Sequence, residues 1–418
     1  MAYKYGTKAV VKDSIGQLPV SVIDCVVYFG CAYGSSAHVG EAVKCVSYRD
    51  YINTYHGGNE PGSRLALDDA AKIAFDKVGI DHAWFVNVAA SVTDESSVDN
   101  DDIASILDDS LASICLNTSE RPNILCVPAI QAHAGTLSDL VTALASICDG
   151  KINDSYSAIA VLDVAESADQ VSASGKAVPD QISKDTTDGH IISCWGRVIS
   201  ERNANGTVKS ADYLSSVISA MYAAQDAKNT SNVPYRSIGN LNISWAKGLC
   251  IYAMSGGGSP AYFECTARQS NMTDICAKGV TTICNHGNQN ITTWGDHTSA
   301  FSDGGTFDAL YQFDSGVRMM IYLFNGFIDR WRGVIDDPMD LDLRNSIVTK
   351  EQENLDRLVL IKALIGNPKC EFRPENNTEI GLGYFYFSSV YTTVIPAKYI
   401  EMDLSYTTEG LKAYTEAA

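Results

Sequence analysis

The best candidate for a catalytic residue in this 418-residue chain is Asp163. It ends the apolar run 158–162, and open α/β sheets place catalytic carboxylates at the ends of such strands. His190 with either Ser193 or Ser216 could be its partners in a hydrolase. Nothing in the spacing selects these partners, and an aspartate that ends a strand often only caps a turn. An α/β hydrolase using Asp163 is therefore one alternative.

Other chemistries have less support in the sequence. The seven histidines are scattered and form no metal-binding spacing. There is no GxSxG elbow and no phosphate-binding GxxxxGK[ST] loop, and the run 256–258 lacks the setting of a dinucleotide site. The acidic run 336–342 could bind a divalent cation, but its Asp-Pro pair is more typical of a turn before a helix. We therefore expect no metal and no cofactor.

Cysteine usage and charge narrow the class of protein. The twelve cysteines form no CxxC pair, and many lie in apolar runs, which predicts reduced core thiols in a cytosolic protein. We expect no signal peptide and no membrane insertion, since no uncharged apolar run reaches about 18 residues. The net charge is −19, from 31 basic and 50 acidic residues. Such a surface repels phosphate, which argues against direct nucleic-acid or membrane-surface binding.

The middle of the chain predicts an α/β fold. Residues 123–128 and 158–163 are continuously apolar, and an amphipathic helix over 137–148 lies between them, with Thr136 as its cap. A strand, a helix and a strand in this order predict parallel pairing with both sheet faces covered. We expect the helix over 213–222 to lie in the same layer as the first.

The flanking regions contain further elements. Before the middle, we predict strands over 22–30, 42–46 and 84–88, a helix over 67–78, and an acidic surface loop over 91–102. After about residue 290, the stretch 313–327 fits either a helix or a strand. Beyond it we predict a helix over 350–365 capped by Thr349, an aromatic strand at 384–387, and an alternating strand at 399–404. Residues 1–20 are polar and look like an arm.

The order of these pieces resembles the tail sheath proteins of contractile phages and related contractile injection systems. None of the motifs is catalytic, and the resemblance rests on their order along the chain. The matching segments are Val22–Gly30 followed by Cys45–Tyr51, Ala70–Val88, Ile124–Pro128, Ala158–Val164, Ile283–Asn285 through Trp294-Gly295-Asp296-His297-Thr298, Leu358–Gly366 followed by Asn377-Thr378, and Pro396–Ile400. The chain departs from the family at His297, where arginine is usual, and in lacking a proline-rich turn near 206–210.

The resemblance implies an α/β plus α+β architecture. It implies an N-terminal extended arm (1–22), an outer region (23–290) with a small β part (about 23–95) and a subtilisin-like part (about 96–290), an inner sheath domain (291–398), and a C-terminal arm (399–418). Identical subunits would stack as hexameric rings around an inner tube, with arms adding strands to neighbouring sheets. The arm residues implied are Ala9, Val10, Val11, Tyr399, Ile400, Met402 and Leu404.

The helix over 350–365 is the candidate for contact with the tube. From 344 to 369 the chain carries a net charge of +2, which would complement an acidic tube. The alternative is a solvated helix with an ordinary Glu353–Arg357 pair. The candidate tube-facing residues are Arg344, Lys350, Arg357 and Lys362.

The resemblance thus predicts a sheath subunit without enzymatic activity, whose contraction drives a tube through a target cell envelope. Its implied partners are further copies of itself, the inner tail tube protein, and baseplate and tail terminator proteins. Its implied location is a virion tail or injection particle assembled in the bacterial cytoplasm. The alternatives are the hydrolase and another self-assembling virion protein.

Overall fold

The structure is a computed structural model that describes residues 24–254, 260–287, 290–373, 380–409 and 411. Its strands are β1 (Cys25–Gly30), β2 (Ala42–Cys45), β3 (Ala83–Asn87), β4 (Pro122–Val127), β5 (Ile159–Asp163), β6 (Ile191–Cys194), β7 (Arg197–Arg202), β8 (Val208–Tyr213), β9 (Leu249–Met254), β10 (Pro260–Cys265), β11 (Val280–Asn285), β12 (Ile291–Trp294), β13 (Leu364–Arg373) and β14 (Tyr386–Thr393). Its α-helices are α1 (Tyr48–His56), α2 (Ala66–Lys72), α3 (Asn100–Asn117), α4 (Leu137–Cys148), α5 (Leu214–Asp226), α6 (Gln269–Cys276), α7 (Asp314–Trp331) and α8 (Leu341–Leu360).

An eight-stranded sheet forms the main layer, in the order β12-β11-β6-β5-β4-β1-β3-β2. The six inner strands run parallel to one another, and the antiparallel strands β12 and β2 form the two edges. The predicted parallel pairing of β4 with β5 is confirmed. The boundary predicted near residue 290 falls between β11 and β12, which pair with each other.

Helices cover both faces of this sheet. Helices α3 and α4 pack on one face, with Leu107 and Leu144 in the same core, whereas α1, α2 and α5 pack on the other. The prediction that α5 shares a layer with α4 is therefore wrong. Strands buried on both faces are apolar at every position, so their pattern does not show which face a helix covers.

The predicted acidic loop over 91–102 ends earlier than expected. Asp99 caps α3, accepting a hydrogen bond from the backbone N–H of Asp101 at 2.9 Å, and the helix runs to Asn117. The apolar residues Ile103, Leu107 and Leu111 recur every fourth position, which is a helical pattern. The first turn of the helix is acidic, as is favourable at a helix N-terminus, and its sequence therefore also fits the preceding loop.

A second, four-stranded antiparallel sheet has the order β10-β9-β7-β8. The chain passes from the main sheet into this second sheet between β6 and β7, which are separated by only two residues. Gly196 between them has φ +86°, a backbone conformation that favours glycine. A Cβ at this position would also lie 2.6 Å from the side chain of Leu249.

The C-terminal part consists of α7, α8 and the hairpin of β13 and β14. The stretch over 313–327, which fitted either structure, is the helix α7. Residues of both helices and of β13, such as Met319, Leu355 and Leu364, share a small core. The order of helix, helix and hairpin makes this part mixed α and β.

Helix α8 differs from its prediction at both ends. It begins at Leu341, where Asp340 accepts a hydrogen bond from the backbone N–H of Leu343 at 2.7 Å. Thr349 therefore lies inside the helix and does not cap it. Leu364 and Ile365, predicted as the end of the helical face, begin strand β13 instead.

One face of α7 attaches the C-terminal part to the main sheet through polar contacts. Asn325 exchanges two hydrogen bonds of 2.9 Å with the backbone of Ser157. One turn further, Asp329 accepts hydrogen bonds from Arg121 at 3.1 Å and from the Tyr156 hydroxyl at 2.7 Å. This spacing along one helix face fixes both the position and the rotation of α7.

A buried ion pair on the same helix is made by Arg318. Its side chain, 3% exposed, forms an ion pair with Asp226 of α5 and lies 3.7 Å from Asp24 beside β1. Its guanidinium carbon also lies 4.3 Å from the ring centroid of Tyr222, whose hydroxyl donates to Asp314 at 2.9 Å. Burial alone would lower the pKa of Arg318, but the neighbouring carboxylates hold it above its ordinary value.

We expect Arg318→Met to destabilise the protein by about 3–5 kcal/mol, because it leaves the buried carboxylates without their cation. The measurement is urea denaturation followed by circular dichroism. Lys209→Met is the matched control, since it breaks an ion pair whose partners are both more than half exposed, and it should change stability little. Equal midpoints for the two variants would contradict the role assigned to Arg318.

Candidate functional site

Asp163 lies at the carboxyl end of β5, as predicted, and its carboxylate binds the start of α5. It accepts hydrogen bonds from the backbone N–H of Ser215 at 3.0 Å and from the Ser215 hydroxyl at 2.5 Å. Burial raises the pKa of Asp163 to about 6, although both hydrogen bonds lower it. The carboxylate therefore caps a helix that is distant in sequence.

The proposed catalytic partners of Asp163 have other contacts. The His190 ring lies 3.4 Å from Asp188, and the Ser193 hydroxyl lies 2.7 Å from that of Ser299. Among the described residues, the hydroxyl of Ser216 has no hydrogen-bond partner. No hydrogen bond in the described chain joins a serine, His190 and Asp163, so the base–nucleophile contact that a hydrolase needs is not formed there.

The thiols and the acidic runs have structural surroundings. All twelve cysteines are free and eleven are buried, as predicted for core thiols. Burial raises the pKa of Cys126 to about 12, which keeps this thiol protonated and unreactive. The described segments contain no cluster of three potential metal ligands. Their helices also lack any that combines the length and the apolarity to cross a membrane.

The segment predicted as a final strand over 399–404 is not a strand within the subunit. The side chains of Tyr399, Ile400, Met402 and Leu404 are 79%, 85%, 73% and 83% exposed. From residue 400 onward, apolar residues alternate with Glu401 and Asp403, which is the pattern of a strand with one buried face. The pattern lacks a neighbouring strand among the described residues. The other arm candidates, Ala9, Val10 and Val11, lie outside the described residues.

An ion pair fixes the base of this exposed segment. Lys398 pairs with Asp296, whose side chain is 3% exposed, and its ammonium lies 5.5 Å from the ring centroid of Phe313. His297, at the position where arginine is usual, donates through Nδ1 to the carbonyl of Gln312 at 2.8 Å. Burial lowers the pKa of His297, so the cation beside Asp296 is supplied by Lys398. Sequence reasoning missed this pair because its members are 102 residues apart.

The hairpin of β13 and β14 has no third strand among the described residues. Gln352 of α8 occupies part of the β13 edge, because it donates to the carbonyl of Pro368 at 3.0 Å and accepts from the backbone N–H of Cys370 at 2.9 Å. The edge of β14 is therefore the more open one. In the described chain these two strands pair only with each other, over ten and eight residues. An unpaired strand edge exposes a row of backbone donors and acceptors that another chain can bind. The exposed segment and the β14 edge thus have complementary hydrogen-bonding needs.

Two of the four candidate tube-facing residues are half-buried and engaged within the subunit. The Arg344 guanidinium carbon lies 5.3 Å from the ring centroid of Phe372. Arg357 donates to Asn354 at 3.1 Å and to the Tyr322 hydroxyl at 3.4 Å. Both side chains therefore contribute to the packing of α8 against its neighbours.

The other two candidates are more accessible. Lys350 is 39% exposed and lies 4.0 Å from Glu353, so Glu353 pairs here and not with Arg357 as the alternative interpretation required. Lys362 is exposed just beyond the helix, with φ +64°. The surface of α8 also exposes Asp342 and Asp356, so its outward face is mixed in charge.

The whole architecture is similar to solved sheath structures. The sheath complex of an extracellular contractile injection system, PVC, in the contracted state gives a TM-score of 0.65 at 14% identity, covering 94% of this chain and 95% of that chain. The contracted helical sheath of the anti-feeding prophage gives 0.65 at 14%, covering 93% and 94%. The sheath tail protein from Desulfitobacterium hafniense gives 0.52 at 11%, covering 90% and 98%.

These similarities establish the fold. No family model matches the chain, and no curated protein matches it in sequence. The three structures nevertheless align with at least 90% of it. The predicted resemblance to contractile tail sheath proteins is therefore confirmed at the level of the fold, and the chain has the sheath fold over nearly its whole length.

Because burial raises the pKa of Asp163 from 3.8 to about 6, the folded state binds more protons than the unfolded chain between about pH 4 and pH 6. The contribution of Asp163 to the free energy of unfolding therefore falls as pH rises through this window. We expect Asp163→Asn to remove this fall, so that wild type loses up to about 3 kcal/mol relative to the variant.

Urea denaturation at several pH values measures the difference. Asp180→Asn is the control because its side chain is 96% exposed, and its curve should stay parallel to that of wild type. An Asp163→Asn curve that also stays parallel would show that Asp163 is ionised at the same pH in both states.

Proposed function

We propose that this chain is a structural subunit of a contractile sheath. The single observation that carries the proposal is the row of exposed apolar side chains at 399–404, which leaves a subunit whose hairpin has no partner strand at the β14 edge among the described residues. An exposed apolar row of this kind marks an interaction site. The shared fold with contracted sheaths supplies the kind of partner, which is a second copy.

The subunit divides, in this proposal, into the outer region over 23–290 and the inner domain over 291–398, with arms at 1–22 and 399–418. The mostly parallel sheet, covered by helices on both faces, supports a subtilisin-like outer part. The arm of one subunit adds a strand to the hairpin of the next, so that main-chain hydrogen bonds link identical copies. The ion pair of Lys398 with Asp296 sets where the arm leaves the subunit.

Assembly then proceeds as hexameric rings stacked around an inner tube, with contraction as a change between two packings of rigid subunits. Baseplate and tail terminator proteins bind the ends of the stack, and the particle assembles in the bacterial cytoplasm. Another solved structure with this fold belongs to the baseplate of the anti-feeding prophage, which supports association with such a plate. The subunit has no enzymatic role, which is supported by the capping contacts of Asp163.

The test is negative-stain electron microscopy of the purified full-length protein beside versions lacking residues 1–20 or 399–418. We expect hollow tubes of sheath width from the full-length protein and few or none after truncation. Shells would instead favour another self-assembling virion protein. A full-length protein that stays small and monodisperse, also in the presence of its own tube protein, would contradict a sheath.

Point variants distinguish pairing of the arm as a strand from nonspecific association of the arm. Ile400→Asp with Leu404→Asp changes the apolar face of the arm, and we expect tubes to be lost because that face must be buried when the arm pairs. The matched control, Glu401→Gln with Asp403→Asn, changes the opposite face and should keep the tubes. Equal losses in both variants would contradict pairing as a strand.

For the tube contact, we propose that Lys350 and Lys362 bind the tube while Arg344 and Arg357 hold α8 in place. Lys350→Glu with Lys362→Glu should weaken co-sedimentation with the particle's inner tube, most strongly at low salt, and leave the melting temperature unchanged. Arg357→Ala should lower the melting temperature because the side chain is packed and hydrogen-bonded. Unchanged tube binding by the lysine variant would contradict the proposed role of Lys350 and Lys362 in binding the tube.

A further inference from the structure

A cleft of about 520 Å³ opens between the second sheet and the β11–β12 hairpin. Its floor is apolar, with Leu249, Cys265, Ile283 and Ile291 among the lining residues. Its polar lining includes the basic residues Arg202, Lys247, Arg268 and His286. Clefts of this size with an apolar floor and a few charges are typical of binding sites.

Two of these cations have no acidic partner among the described residues. Arg202 is neutralised by Glu264, with contacts of 2.6 and 3.0 Å. Lys247 and Arg268 are exposed, and none of the described acidic side chains forms an ion pair with them. The neighbouring sequence over 255–259 and 288–289 contains no charged residue.

The opposite charge is concentrated on α3. This helix contains no lysine or arginine, and Asp101, Asp102, Asp108 and Asp109 are all exposed. Within the described chain, Asp108 and Asp109 form no ion pair. Leu116, which is 68% exposed, follows Asp109 by seven residues and therefore lies on the same face of the helix. The face combines carboxylates with an apolar side chain, which matches a cleft with cations above an apolar floor.

The two surfaces cannot meet within one subunit. Helix α3 contacts β2, at one edge of the main sheet, and β4, whereas the cleft is lined by β11 and β12 at the other edge. Three strand spacings of about 4.8 Å, or about 14 Å, separate β4 from β11, and seven spacings, or about 34 Å, separate the two edges of the sheet. A contact between the two surfaces therefore requires a second copy of the chain.

We infer that the acidic face of α3 on one subunit docks into the Lys247–Arg268 cleft of the next. This inference rests on the proposed sheath function, and it adds a contact between outer regions to the arm contacts between inner ones. A contact between two different surfaces of identical subunits is heterologous, and repeats of it generate rings or helices. Charge contacts also suit an interface that must re-form when the packing changes.

A charge swap tests the contact. Lys247→Glu with Arg268→Glu, and separately Asp108→Lys with Asp109→Lys, should each reduce tube yield at least about tenfold at low salt, because like charges then face each other. Combining all four substitutions should restore the tubes. Lys151→Glu with Lys228→Glu, which changes the net charge as much as the first variant does, is the matched control and should assemble normally. Circular dichroism checks that each variant is folded.

Zero-length carbodiimide cross-linking of the wild-type chain, mapped by mass spectrometry, provides a second measurement. We expect intermolecular links between Lys247 and Asp108 or Asp109 that disappear at high salt. Normal tubes from both double variants, or failure of the combined variant to restore them, would overturn the contact while leaving the arm-linked sheath intact. If wild type forms no tubes, also in the presence of its own tube protein, the sheath proposal is contradicted. The cross-link then tests the contact by itself, because its presence supports the contact and its absence overturns it.

Discussion

The buried cation of Arg318 is the constraint on which the arrangement of the two parts depends. One guanidinium serves Asp226 on α5 and Asp24 beside β1, two carboxylates that would otherwise be buried without compensation. It therefore joins α7, a covering helix and the main sheet at one point. An apolar contact would tolerate sliding, whereas a buried ion pair has one geometry. In the proposed sheath, this ion pair would hold the two parts of the subunit in one arrangement.

Rigidity at this junction determines where conformational change can occur. Along α7, the pair of hydrogen bonds between Asn325 and Ser157 repeats the fixation seven residues beyond Arg318. By contrast, the segment after Lys398 has exposed side chains and is tied at its base by one partly exposed ion pair. The proposed contraction requires rigid subunits joined by flexible connections. The distribution of buried polar contacts in the described chain is consistent with that requirement.

The sequence predicted the elements better than their arrangement. The buried strands, including the parallel pair β4 and β5, could be predicted from short continuous apolar runs, and the amphipathic helices from the periodic spacing of their apolar residues. The sheet faces that α4 and α5 cover could not be predicted, because a strand buried on both sides is uniformly apolar. The start of α8 was misplaced because Thr349 has a cap-like sequence inside a longer helix. The contact of Lys398 with Asp296 depends on tertiary packing, which no local pattern encodes.

The hairpin of β13 and β14 links folding to assembly. A two-stranded sheet is at best marginally stable by itself in water, and this one is supported on one side by α8, with the small core around Leu358 and Leu364. The β14 edge has no partner strand in the described chain, and the apolar row at 399–404 is exposed. In the proposed sheath, pairing between copies would remove both deficits at once, because it would supply backbone partners to this edge and a sheet face to the row. On this proposal, assembly completes the fold of the subunit.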